Sequence, residues 1–275
     1  MAGGVASGLD QDDAVAMSEI GPHASDAFPK APTAAEWEGM TPAERGQVAD
    51  SLPNEVTDAE LSPPEGDLHF YGKTGPLDAL TTFFKRSGRA AYFACELPVY
   101  YPGSRRFAPD LLGVLGVEDR ARGKWLVSAE GKGLDFVLEV HVAGDRQKDA
   151  ERNVALYASL GIPDYFMYDR ARSQLIGHRL VDDARTYRRI IPQAGMYRSQ
   201  ALGLDLSIVD GRLRFFIAGA ILPEAAEQIA RLERLTAELE QRRDEEAERV
   251  RVEAERAGRR IAELEAELAR LKSGG

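Results

Sequence analysis

Two carboxylates stand out as candidates for chemistry. Asp110 follows Pro109 at the head of a short apolar run, and Glu139 sits inside LDFVLEVHV, flanked by valine, leucine and phenylalanine. Burying an ionised carboxylate in so apolar a strand is costly unless a cation or a base faces it. Magnesium and similar hard cations take oxygen ligands, often only one or two carboxylates, with waters and substrate phosphates completing the shell. Asp110 and Glu139 on neighbouring strands could make that site, within about 4 to 6 Å of each other if they share one ion. A buried ion pair, Glu139 with an arginine, accounts for the same pattern without metal, and the pattern alone leaves both readings open. The basic candidates nearby are His141 and Lys148. His141 could donate to phosphate or bind metal, or be a satisfied strand histidine. Lys148 reads equally as a solvated surface lysine, because the apolar stripe Ala150, Val154, Tyr157 and Gly161 omits it.

These residues lie in a stretch, residues 65–222, whose texture alternates between short strands and helices. Residues 76–88 repeat apolar positions at Leu77, Leu80, Phe83 and Phe84 and close on Gly88, the pattern of an amphipathic helix. Residues 90–101 read as a strand, 107–117 as its return partner, and 133–142 as a central strand apolar on both faces. A helix over about 146–160 and further strands in YFMYD, QLIGHRL and RTYRRIIP come next. The expected fold class is α/β, a mixed central sheet with flanking helices. Residues 1–64 instead read as an acidic, largely disordered tail rich in proline, except for TPAERGQVADSLP, where Thr41, Pro42 and Glu44 form a capping-box pattern for about two turns of helix. Residues 223–275 place Ala247, Val250, Ala254, Ala257, Ile261, Leu264, Leu268 and Leu271 alternately three and four apart, a heptad seam that predicts a coiled-coil helix and a homo-oligomer built through it. A single solvated helix held by Glu and Arg pairs is the plainer alternative.

The segments APDLLGV, LDFVLEVHVAGDRQKD and NVALYASLGIPDYFMYDRARSQLIGHRL together resemble the Uma-type restriction endonucleases, a branch of the PD-(D/E)XK nuclease superfamily. The matching residues are Pro109 and Asp110, Glu139 and Val140, Tyr157, Gly161 and Ile162, Asp164 and Tyr165, and Asp169. The resemblance implies a restriction-endonuclease-like fold, a metal site of Asp110 and Glu139 holding Mg²⁺ or Mn²⁺, and in-line attack of water on a phosphodiester of nucleic acid, DNA in the first instance. It also exposes a departure. The usual lysine position two after the glutamate holds His141, and the alternative four before the helix tyrosine holds Asn153, leaving Lys148 as the nearest basic substitute. His69 resembles a histidine that opens the first helix of the family, or is an exposed cap. The bases Lys85, Arg86, Arg89, Arg105 and Arg106 could touch a DNA backbone, though helix ends and turns often carry such residues.

Composition sets the outer limits. The 275 residues carry a formal charge of -10, but residues 1–64 hold 12 acids against Lys30 and Arg45, whereas residues 65–222 hold 19 acids and 22 bases. The acidic excess therefore belongs to the leading segment, and a net negative chain does not exclude a nucleic-acid partner for the mildly basic middle. No run of residues is long and apolar enough for a membrane helix, and the N-terminus lacks the pattern of a secretory signal. Cys95 is the single cysteine, so no intramolecular disulfide forms, and a cytoplasmic protein is expected. Three function classes remain: a metal-dependent DNA endonuclease, a catalytically weak or inactive nuclease-like domain that binds or scaffolds through its coil, or a protein whose acidic tail and heptads carry the function while the α/β core is merely structural.

Overall fold

The computed structural model describes residues 29–56, 66–142, 146–181 and 185–273, the side chains of 146–150 excepted. It is a mixed α/β protein. Two short helices come first, α1 (Ala34–Gly39) and α2 (Pro42–Ser51), each opened by a capping box: Thr33 with Glu36, and Thr41 with Glu44. Next along the chain are α3 (Gly66–Arg86), β1 (Ala91–Ala94), β2 (Val99–Tyr100), β3 (Leu111–Leu115), β4 (Trp125–Leu126), α4 (Val127–Glu130), β5 (Phe136–His141) and α5 (Arg146–Ser159). The chain continues through β6 (Asp164–Asp169), β7 (Gln174–Leu180), β8 (Tyr187–Arg189), β9 (Tyr197–Ser199), β10 (Leu204–Val209), β11 (Arg212–Ile217), β12 (Ala220–Ile221) and α6 (Ala225–Ser273).

The main sheet runs β1-β3-β5-β6-β7-β8. Only its central pair β5 and β6 is parallel, with Phe136 opposite Asp164 and His141 opposite Asp169. That pairing requires a crossover, and α5 supplies it. Being central, β5 is buried on both faces, which is why its sequence shows a near-continuous apolar run rather than alternation. One face packs Phe136, Leu138 and Val140 against α3 and a second sheet of order β12-β11-β10-β9, with Leu80, Phe84, Leu206 and Phe215 in the shared core. The other packs Val137 against Tyr157 of α5, Ile162, Trp125 and Tyr165.

The fold departs from the sequence reading in three places. Helix α3 begins at Gly66, ten residues before the expected start at Pro76, so this proline lies inside the helix instead of opening it. Its end is as expected: Gly88 takes φ 67° and its N–H reaches the Lys85 carbonyl. The single strand expected over 90–101 is broken, because Glu96 adopts φ 52° and Pro98 has no N–H to continue a ladder. Part of the leading segment is folded: Ala31, Trp37 and Leu52 form a small core with Tyr100 and Leu126, and buried Arg106 donates to the Glu55 carbonyl at 2.7 Å. The remainder of that segment lies outside the described residues.

The helix α6 is 49 residues long, buries no residue, and spans roughly 73 Å at 1.5 Å per residue. Its first turn is tied to the sheet domain. Glu224 and Glu227 pair with Arg212 and Arg214, and the Ala225 N–H donates to Asp78 at 2.6 Å. No helix among the described residues is long and apolar enough to cross a membrane.

Candidate active site

Strand parity brings the two carboxylates together. In β5, Val137 faces the core on the α5 side, so Glu139 and His141 share that face, while Leu138 and Val140 face α3. Asp110 immediately precedes β3, the antiparallel neighbour of β5, and its Oδ2 accepts from the Val140 N–H at 2.8 Å. In return, Glu139 Oε2 accepts from the Asp110 N–H at 3.4 Å. Both residues are buried, at 3% and 7% exposure. The hydroxyl of Tyr157 on α5 donates to Glu139 Oε1, which gives the helix tyrosine a definite role as the group that orients this carboxylate.

A third element closes on the pair from the other side of β5. The N-terminal part of α3 passes so near the strand that a Cβ on Gly72 would lie 2.6 Å from Val140 Cγ1, so only glycine permits the approach. That approach carries His69 into the site, with its Nε2 3.0 Å from Asp110 Oδ1 and only 4% of the residue exposed. One turn on, Lys73 is also buried and forms an ion pair with Glu96. Glu96 is held beside Asp110 by the bond from its N–H to the Pro109 carbonyl, 3.0 Å, and its positive φ turns it out of the strand. Ligand atoms of His69, Glu96 and Asp110 lie within 4.8 Å of one another.

The electrostatics result from this packing. Burial, and then the adjoining Asp110 carboxylate, push Glu139 well above the usual carboxyl range. Burial alone would raise Asp110 too, but hydrogen bonds from His69 and the Val140 N–H outweigh it and hold this carboxyl low. The result is an ionised carboxylate, an imidazole and a half-exposed glutamate whose ligand atoms are close together, with a second carboxyl, inclined to keep its proton, directly beside the first. An oxygen-rich set of this kind, with a single imidazole, suits Mg²⁺ or Mn²⁺, and the residues therefore fit the group that the sequence resemblance implies.

Of the residues singled out in the sequence, Asp110, Glu139 and His69 are brought together. His141 lies two residues beyond Glu139 on the same face and is half-buried. Lys148 falls in the first turn of α5, and its side chain lies outside the described residues. Asp164 and Asp169 are structural. Asp164 accepts from the Ser199 hydroxyl and the Ala201 N–H, and Asp169 accepts from the Arg172 N–H in the next turn. The expected backbone contacts fare differently: Arg106 is buried against Tyr100, Arg89 stacks on Phe84 at 4.3 Å, and Arg86 pairs with Gln228. Glu96 and Lys73 were not legible in the sequence, since a strand drawn through 90–101 and a helix begun at Pro76 leave both of them without a place in the site.

No curated protein matches the chain. Among solved structures it is similar to a crystal structure described as a "putative nuclease belonging to DUF820" from Anabaena variabilis ATCC 29413, with 13% identity, 51% of this chain and 76% of that chain covered, and a TM-score of 0.41. The family model described as "Uma2: Putative restriction endonuclease" matches residues 57–209, more than half of the chain, and the protein belongs to that family.

Proposed function

We propose that the protein is a metal-dependent endonuclease that hydrolyses phosphodiester bonds of DNA, with Asp110 and Glu139 as its principal metal ligands. The observation that carries this reading is the cluster of His69, Glu96 and Asp110, whose ligand atoms from three separate parts of the chain lie within 4.8 Å of one another, with Glu139 buried beside it and accepting from the Asp110 N–H. Each acid already has a partner within the fold: His69 and the Val140 N–H for Asp110, Tyr157 for Glu139 and Lys73 for Glu96. A divalent cation would add to these partners the charge that lets both Asp110 and Glu139 ionise together. A bound divalent ion would supply polarisation of the scissile phosphate and a water acidified toward neutrality.

The chain's own residues have distinct tasks. Tyr157 fixes the direction of Glu139 through its hydroxyl, and His69 fixes Asp110 or adds a nitrogen ligand. Glu96, with a side chain 37% exposed, is the most accessible of these groups and would be the one to meet a substrate phosphate. Two lysines are offered for the positive charge that the family's usual lysine positions lack. Lys73 is buried against Glu96, and Lys148 opens α5. His141 is the third basic candidate. Separate Lys73→Ala, Lys148→Ala and His141→Ala variants assign the role by which one loses cleavage.

The test is incubation of the full chain with supercoiled plasmid and Mg²⁺ or Mn²⁺, with Glu139→Ala in parallel. Metal-dependent nicking or linearisation that the variant lacks is expected, while equal products from both proteins would overturn the reading. A second reading, a nuclease-like module that scaffolds through a homo-oligomeric coiled coil, is favoured by α6, whose apolar seam of Ile261, Leu264, Leu268 and Leu271 is exposed throughout. Oligomers without metal-dependent cleavage would select it. On either reading the compartment expected from the lone cysteine is the cytoplasm.

A further inference from the structure

Away from the acidic cluster, the free edges of the two sheets face a common groove. β8 ends the main sheet and β9 ends the smaller one, and a tight turn closed by the Gln193–Met196 bridge joins them. Between them lies an open cavity of about 830 Å³ lined by Arg179, Arg188, Arg189 and Arg198, with Ile191 and Met196 among its apolar residues. Arg179 and Arg198 each contact one aspartate, Asp164 and Asp205, both at 3.3 Å. Arg188 and Arg189 are exposed and make no ion pair among the described residues. Asp182 and Asp183 lie outside those residues. Counting them, residues 179–205 carry five arginines against three aspartates.

We infer that this groove binds the sugar-phosphate backbone of the nucleic acid, an inference that rests on the nuclease reading and adds a substrate-holding site to it. Guanidinium is the side chain whose planar fork matches phosphate oxygens in pairs, and four of them around one open polar groove form a track for a polyanion. The register sets the groove across the β8 edge from the acidic cluster. Arg179 and Arg188 stand level with Asp164, an odd three residues from Met167, which lies opposite Glu139, so they project from the sheet face away from Glu139. Arg189 shares the Glu139 face. A nucleic-acid strand held there must pass round the β8 edge, three strands from β5, to reach the cluster. At about 3.3 Å per residue and about 4.8 Å per strand, the diagonal within the sheet is about 17 Å. The path round the edge is longer and takes more than about five nucleotide steps at 3.4 Å. The acidic cluster repels phosphate until a cation occupies it, so a separate basic anchor solves a problem that cluster cannot solve for itself.

The experiment is fluorescence anisotropy of a labelled 20-base-pair duplex in EDTA, so that binding is read without cleavage, over a series of salt concentrations. The full chain is compared with R188A/R189A and with R242A/R249A, a charge-matched control on α6. R188A/R189A should bind at least about tenfold more weakly, and its plot of log affinity against log salt should be shallower by nearly 2, the value for two lost phosphate contacts. The control should match the wild type. R188Q/R189Q repeats the test with side chains of similar length and should behave like the alanine pair. Unchanged affinity and slope in both pairs overturns the inference, as does displacement of the duplex by poly-glutamate as readily as by unlabelled DNA, which would assign the groove to an acidic polypeptide. Arginine-dependent binding by a protein that never cleaves would sustain the groove and remove the nuclease reading. Cleavage that persists without arginine-dependent binding would remove the groove alone.

Discussion

The protein has two long amphipathic helices that use the same periodicity to different ends. α3, 21 residues, lays its stripe of Ala79, Leu80 and Phe84 into the core between two sheets and delivers His69 and Lys73 to the acidic cluster. α6, 49 residues, carries a longer stripe that, after its first turns, is exposed among the described residues. An apolar stripe that its own domain has already covered is structural, whereas one that its domain leaves bare is available to another chain. The difference lies in neighbours and not in pattern, since α6, the more strongly amphipathic of the two, is the one whose stripe stays bare.

Substitutions on the two stripes should therefore separate cleanly. Leu80→Ala, at a fully buried position, should cost about 2 to 5 kcal/mol in denaturant unfolding. Leu268→Ala on α6 should leave that transition in place, and an equal loss from both would break the contrast. Acidic residues at the seam sharpen it: Leu264→Asp with Leu268→Asp should drop the sedimentation mass to that of one chain, while an unchanged mass would make α6 a solvated helix. Removing α6 is a cleaner test if the cut falls after Arg231, because the pairs that Glu224 and Glu227 make with Arg212 and Arg214 belong to the sheet domain.

Smaller effects probe how α3 serves the site. His69→Ala should weaken Mn²⁺ affinity about 10- to 100-fold and, by leaving Asp110 buried without its imidazole partner, also lower the unfolding midpoint. Gly72→Ala removes no ligand, yet its methyl group meets Val140, so it should cost about 1 to 3 kcal/mol and weaken Mn²⁺ binding as well. Normal binding in this variant would show that the close approach of α3 to β5 does not position His69. Smallest of all, Arg251→Ala on α6 breaks only exposed contacts with Glu248 and Glu255 and should change stability by about 0.5 kcal/mol at most.

The parts of the fold legible in the sequence are those fixed by local pattern. Gly88 ends α3 as a left-handed glycine should, Thr41 and Glu44 cap α2, and the apolar run of β5 marks the strand at the centre of the sheet. The convergence of Asp110 and Glu139 was readable for a related reason, since both sit beside strong strands whose antiparallel pairing is dictated by their order. Glu96 and Lys73 were hidden because each depends on a local rule being overridden. Pro76 has the form of a helix start, but the packing of Gly72 on Val140 extends α3 back past it. Glu96 belongs to a run that alternates like a strand, and its positive φ appears only where the chain must turn to bond the Pro109 carbonyl. The folding of Trp37 and Leu52 onto Tyr100 was likewise obscured, by the proline and acid content of the segment that carries them.

The acidic cluster is the centre of the functional reading, and crystals soaked in Mn²⁺ test it directly through anomalous scattering. A single strong peak coordinated by Asp110 and Glu139, with Glu96 or His69 in the shell, is the expected result. A protein that cleaves DNA with Mn²⁺ while its peak lies elsewhere, or whose cluster stays closed by the His69–Asp110 contact at saturating metal, would contradict it.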